Sequence, residues 1–422
     1  MPGTNKKGEQ MVNRNSRLLI SARFITRFGD QIDSLAFAWI MYSLTNSPMM
    51  MGVVLALNAL PSVLFGYFTG GIIDKISKKK LIIFSGLGRM TLVCVLLSLY
   101  ITKMLTPIHL FVLSFVVSIF ELVEFPSVSS LIPEIVEEKD TMTVVSSLKT
   151  MSTVASVAGS AAAAFLMATF GIVSMVVVDI LTFALCVIII GFMRVQKSKA
   201  THSDDGQKIV ALPEKTMKDA FIYVFKHKML LFMILFIPLI NFLLAPYGVF
   251  SPIYANEIVK TGPIGMSLMS GFFSGGLFFG GIFMAKKGDG INWKKIMTTG
   301  IVFSALFYFG LGSPVFLSFP SINFYVLILP VCVLAGFGIQ MLSVILQTYI
   351  LKLAPKDSVG KVMTICAMFG DSSLPLSFCL SGILGEYFAI DKIFLVIGML
   401  LFLGVFITRK LMKNLDVVQE AA

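Results

Sequence analysis

Charge is what this chain has least of. Only 14% of its 422 residues are Asp, Glu, Lys or Arg, against roughly a quarter in an average soluble domain, which excludes an ordinary water-soluble fold. Histidine is scarce too, and His109, His202 and His227 fall at loops or helix ends where none completes a catalytic triad. The five cysteines, Cys94, Cys186, Cys332, Cys366 and Cys379, sit singly inside apolar runs, with no C-x-x-C pair and no histidine at ligand spacing. That pattern supports neither a disulfide framework nor a metal site. No G-x-x-x-x-G-K-[ST] loop, H-E-x-x-H helix or G-x-S-x-G elbow is present, so neither nucleotide hydrolysis nor hydrolase chemistry is indicated. The expectation is a protein that is not an enzyme and carries no cofactor. The net charge of +11 does not point to nucleic acid, because the basic residues form short clusters between apolar runs rather than one basic face.

What remains is apolar: 56% hydrophobic residues and a mean hydropathy of +0.89. A membrane-spanning helix needs about 20 mainly apolar residues. Apolar runs at 18–45, 48–74, 80–102, 107–133, 142–170 and 172–194, then 229–252, 263–286, 292–315, 321–351, 359–386 and 391–412, predict twelve spans. The one long polar segment, residues 195–228, reads as a linker carrying a short amphipathic helix between bundles at 1–194 and 229–422. The predicted fold is therefore an all-α polytopic membrane protein with twelve transmembrane helices in two six-helix bundles.

The polar first 16 residues lack the apolar core of a cleavable signal and read as a cytoplasmic tail. With both termini inside, the outward loops hold only Lys103, Lys260 and Lys392, whereas Lys78 to Lys80, Lys286, Lys287, Lys294, Lys295, Lys352, Arg409, Lys410 and Lys413 all fall inward. That sorting obeys the positive-inside rule and predicts a multi-pass protein of the cell membrane. Two six-span halves further suggest duplication, since secondary transporters are commonly repeated structures with a site between the repeats.

Several charges lie inside the spans, where they are costly and mark function or tight pairing. In SARFITRFGDQIDSLAFAWIM, Arg23, Arg27 and Asp30 share one helical stripe with Asp33 at its edge. Either Arg27 pairs with Asp30 in a watery vestibule, or a carboxylate here takes a proton or a cationic ligand. Glu121 and Glu124 share a face of the fourth span just before Pro126; they are the leading candidate site or, alternatively, part of a network with Arg89 or Lys149. Arg89 and Lys149 are lone cations for which carboxylate partners are expected, and Asp179 and Asp371 are lone acids read as structural or relay groups. Spans seven and ten hold no acids and offer Asn241, Tyr247, Gln340 and Gln347 instead. Glycine-rich GFFSGGLFFGG and AGFG predict close helix approach. The 38 Phe and 25 Met provide deformable apolar surface for varied ligands.

After the second span comes GGIIDKISKKKL, in which Gly70, Asp74, Lys75, Lys78 and Lys79 resemble the G-x-x-x-D-R-x-G-R-R signature of the major facilitator superfamily. A carboxylate at Asp74 beside these cations can bridge to a neighbouring helix and latch the inner face. Ser77 departs from the signature's glycine, which puts the expected tight turn in question. RFITRFGDQIDSLAF, FPSVSSLIPEIV, DILTF, NFLLAPYGVFSPIYANE and LQTYILKLAPKDSVGKV extend the resemblance, most closely to macrolide-efflux-type exporters.

The resemblance implies a monomeric, proton-coupled antiporter that exports small amphiphilic or cationic compounds, such as antibiotics, by alternating access. Spans one, four, seven and ten would then surround a central cavity and bring Asp30, Asp33, Glu121 and Glu124 to one aqueous space. Carboxylates crowded at low dielectric can exchange protons near neutral pH. A metabolite or lipid facilitator of the same fold, or a transport-inactive sensor or assembly factor, is the alternative, because fold does not fix function.

Overall fold

The computed structural model describes residues 6–136, 138–193, 217–287, 291–315, 321–355 and 359–420. Every element among them is helical. In chain order they are α1 Lys6–Thr45, α2 Pro48–Lys75, α3 Lys78–Ile101, α4 Pro107–Ile135, α5 Glu138–Phe170, α6 Ile172–Gly191, the short α7 Met217–Lys226, α8 Lys228–Leu244, α9 Pro246–Ile253, α10 Gly262–Lys287, α11 Trp293–Gly312, α12 Ser321–Leu353, α13 Val359–Tyr387 and α14 Ile390–Glu420. A π-helical turn, Tyr254–Ile258, extends α9.

Among the described residues, eleven segments are long and apolar enough to cross a membrane, with α8, α9 and the π turn counting as one. The twelfth long helix is α1, whose charges at 23, 27, 30 and 33 lower its hydropathy although it packs among the others. Its apolar residues Leu19, Ile32, Ala36 and Ile40 are fully buried. The crossing segments are helices because lipid satisfies no backbone groups and each segment must bond its own.

Connections are tight where odd-numbered crossings return. Asn46, Lys103 and Lys260 adopt left-handed backbone, as do Gly171 and Gly262. Ser47 then caps α2 by accepting a bond from Met50 N, with Pro48 at the first helical position. Of the linker expected at 195–228, residues 195–216 lie outside the described residues, and α7 falls in the part that remains. Ala220 and Val224 of α7 are buried, and Tyr223 donates to the Leu353 carbonyl at 3.1 Å.

Among the first six helices, α1 packs on α5 and α6, α4 on α2 and α3, and α3 on α6. Among the later ones, α12 packs on α10 and α11, α14 on α11, and α13 on α8. Two seams join the sets, α2 against α13 and α5 against α10. The small-residue runs sit at close crossings: a Cβ at Gly280 of α10 would lie 2.8 Å from the Phe337 carbonyl oxygen of α12, and one at Gly338 would lie 3.0 Å from the Gly300 carbonyl oxygen of α11. Only glycine permits such backbone approach.

The face on which α1 ends is cross-linked between the two sets. Tyr42 donates to Glu257 at 3.1 Å and accepts from Asn256 at 2.7 Å. The Glu386 carboxylate accepts from the Ser47 hydroxyl and, at 3.3 Å, from the Met49 amide.

Candidate functional site

Arg89 is the hub. It projects from α3, is 1% exposed and stacks its guanidinium 4.5 Å from the Phe183 ring of α6. One terminal nitrogen lies 2.6 Å from Asp30 Oδ1 and 2.9 Å from Glu121 Oε1, and the other lies 3.3 Å from Glu124 Oε2. A planar fork with several donors is the group that can serve three carboxylates from two helices at once. Arg23 closes the cluster on the far side of Glu124, at 2.8 Å. Arg27 stands one turn from Asp30 at 3.6 Å.

The anticipated acids separate into two environments. Asp30, Asp33 and Glu121, with Arg27, line a cavity of about 310 Å³, and Glu121 turns 42% of its side chain toward it. Glu124 does not line it. It is 6% exposed, held between Arg23 and Arg89, with the Ser85 hydroxyl 3.5 Å from its Oε2. Of the four carboxylates expected at one aqueous space, three line this cavity, and Glu124 is instead enclosed by Arg23 and Arg89. The partner expected for Arg89 is present in triplicate.

Asp33 and Asp179 stand apart from this pairing. Asp179 of α6 is 0% exposed in the structure, and its Oδ1 is 3.4 Å from the Thr182 hydroxyl, which donates chiefly to the Asp179 carbonyl at 2.7 Å. Asp179 Oδ2 and Asp33 Oδ1 are buried with no hydrogen-bond partner among the described residues. The two carboxylates are electrostatic neighbours of each other and of Arg89. Gly29 brings α1 onto α6 here, since a Cβ on it would sit 2.8 Å from Asp179 Oδ1. An acid read as a lone structural or relay group is therefore the neighbour of the α1 site.

Among the described residues Lys149 has no carboxylate partner of the kind expected of it. Its ammonium lies 3.4 Å from Gln347 Oε1 across the α5 and α12 interface, and it shares a second cavity with Gln340. Asn241, Gln347 and Asp371 line a third cavity, about 350 Å³, between α8, α12 and α13, where Asn241 also donates to the Gly370 carbonyl at 3.1 Å. Tyr247 is packed instead against Phe307 and Phe273, ring centres 5.0 and 6.2 Å away.

Of the anticipated latch, Gly70, Asp74 and Lys75 close α2, but their side chains lie outside the described residues. Lys78 pairs with Glu134 of α4 at 3.0 Å, and Lys79 donates to the carbonyls of Gly191 and Met193 at the end of α6, each at 2.7 Å. A cation there satisfies exposed helix-terminal carbonyls. Both contacts stay within the first six helices. Ser77, in the glycine position of the signature, has φ −58°, so the turn needs no left-handed residue. The neutral cavity wall, Asn58, Ser114 and Ser156, had no signal in the sequence, since single polar residues in apolar helices are common. Gln31 of α1 reaches across to Ser270 of α10 at 3.2 Å.

The family model described as Major Facilitator Superfamily matches residues 19–377. The chain belongs to that superfamily. No curated protein matches it by sequence. Among solved structures, this major facilitator is similar to the nucleoside transporter NupG, with TM-score 0.76 and 13% identity over 94% of this chain and 99% of that one. It is also similar to a bacterial homologue of the iron transporter ferroportin in an inward-facing state, TM-score 0.71, 14% identity, covering 94% and 98%. The third is the POT family transporter PepTSo, TM-score 0.66, 12% identity, covering 96% and 98%. At such identity the likeness is one of fold. The expected membership of the superfamily is shown, at the level of the superfamily and not of its macrolide-efflux type, and as a superfamily member the chain is a multi-pass membrane transporter.

Proposed function

We propose that this major facilitator is a proton-coupled antiporter that exports small amphiphilic or cationic compounds from the cytoplasm by alternating access, as a monomer in the cell membrane with both termini inside. The observation that carries this reading is a charge imbalance beside a cavity. Arg23, Arg27 and Arg89 face Asp30, Asp33, Glu121, Glu124 and Asp179, and the ion pairs consume the arginines on Asp30, Glu121 and Glu124. Asp33 and Asp179 are left with buried oxygens unpartnered among the described residues.

Carboxylates at low dielectric demand a counter-charge. A proton can supply it, and so can a cationic substrate in the adjoining cavity. Competition between the two for the same carboxylates yields antiport, because each bound form favours a different state of the helices. Asp30 and Glu121 line the cavity beside Arg89 and would relay occupancy to α3 and α4. Asn241, Gln347 and Asp371 would supply hydrogen bonds from the other set of helices. The latch role of Gly70, Asp74, Lys75, Lys78 and Lys79 belongs to the same proposal.

The test uses the purified chain in liposomes with an imposed proton gradient and a fluorescent lipophilic cation. The parent should move dye and dissipate the gradient together. Asp33→Asn and Asp179→Asn should each reduce dye-coupled proton movement at least tenfold. Undiminished coupling in both variants would refute the assignment, and a parent that moves no cation against the gradient would refute antiport.

A further inference from the structure

A recess opens between the start of α11 and the end of α14. It has a volume of about 340 Å³ and is walled by Lys294, Lys295, Thr298, Arg409 and Lys413, with the buried Met412 as its floor. Four cations thus converge on one hollow. Lys295, Arg409 and Lys413 enter no ion pair with any residue whose side chain is described, which here excludes residues 414–420. The N-terminus of α11, where Asn292 caps the Lys294 amide, borders the same hollow, and the positive end of a helix adds to the field there.

The cations also continue an apolar track. Phe402, Phe406, Arg409 and Lys413 are spaced by four, three and four residues and so share one stripe of α14, and all four are exposed. Phe309 of α11 meets Phe402 at 6.5 Å between ring centres, and Phe402 meets Phe406 at 5.4 Å. From Lys413 to Phe402 the helix rises about 16 Å, comparable to an acyl chain. Basic at the membrane boundary and aromatic further in, the groove has the polarity of a phospholipid.

We propose that this groove is a binding site for an anionic phospholipid, its phosphate held by Lys295, Arg409 and Lys413 and an acyl chain laid along Phe406 and Phe402. In the orientation given by the lysine distribution it lies on the cytoplasmic side, where anionic headgroups attract juxtamembrane cations. The aromatic track selects a lipid over free phosphate, which would need only the cations.

Native mass spectrometry of the full chain in detergent tests this with phosphatidylglycerol, phosphatidylcholine or inorganic phosphate added. The parent should retain phosphatidylglycerol in preference to phosphatidylcholine, and millimolar-range phosphate should not displace it. The triple variant Lys295→Gln, Arg409→Gln, Lys413→Gln should bind phosphatidylglycerol about a hundredfold more weakly, and Arg409→Gln alone about fivefold. Lys286→Gln with Lys287→Gln, at the end of α10, should bind like the parent. Binding of the triple and single variants within twofold of the parent, an equal loss in the α10 control, or displacement by inorganic phosphate would each overturn the proposal.

Discussion

Gly382 offers a direct way to perturb the seam between α2 and α13. A Cβ at this position would lie 3.0 Å from Met49 Cα, 3.0 Å from the Pro48 carbonyl oxygen and 3.2 Å from Gly52 Cα. Ordinary carbon contacts fall at about 3.5–4.0 Å, so even alanine is short by roughly half an ångström, and the methyls of valine reach further. Every atom met is backbone, and no side-chain rotation relieves the overlap. The two helices must part, and one turn along α13 the bonds from Ser47 and Met49 to Glu386 part with them. Overpacking of this kind costs about 1–3 kcal/mol, which converts to a shift of about five- to 150-fold toward states with this face open. Gly382→Val should therefore populate a longer distance between spin labels at Met50 and Tyr387, both exposed, with Cys94 and Cys379 replaced by serine. Gly404→Val, where nothing lies within 4 Å, should leave the distribution unchanged. A Gly382→Val distribution identical to the parent's would refute the claim that this seam closes on glycine.

Arg89→Leu removes the one group that compensates Asp30, Glu121 and Glu124 together, and loss of a buried partner costs about 3–5 kcal/mol. Its melting midpoint in detergent should fall well below the parent's, with Arg89→Lys recovering only part because an ammonium cannot fork to three acids; an unchanged midpoint in Arg89→Leu would contradict the hub. Glu257→Gln weakens a hydrogen bond from Tyr42 that gains strength from the carboxylate charge, worth about 1.5–3 kcal/mol. The same label pair should then report partial opening, smaller than that of Gly382→Val, and no opening would remove Tyr42 and Glu257 from the closure.

The crossing segments were legible in the sequence because a bilayer imposes one local rule, about 20 apolar residues per helix, and the observed helices follow the apolar runs closely. The α1 charges were legible as anomalies for the same reason. Their partners were not. Arg89 is 59 residues from Asp30 and 35 from Glu124, while Arg23 is 101 from Glu124. No local period connects them, and helix order in space decides which acid meets which arginine.

Asp179 and Glu124 illustrate the division. By sequence, Glu124 ranked as a site residue and Asp179 as a lone structural or relay acid. The packing of α3 seals Glu124 between two arginines, and the contact of α1 on α6 at Gly29 brings Asp179 beside Asp33. Similarly, Lys149 was expected to meet a carboxylate because it is a lone cation inside an apolar run, yet it is exposed and its ammonium meets Gln347. The apolar runs alone determined that this chain lives in a membrane and where its crossing helices fall. Which carboxylates are neutralised and which remain in want of a positive charge was decided only by tertiary packing, because Coulomb energy depends on separation in space and on the water excluded there.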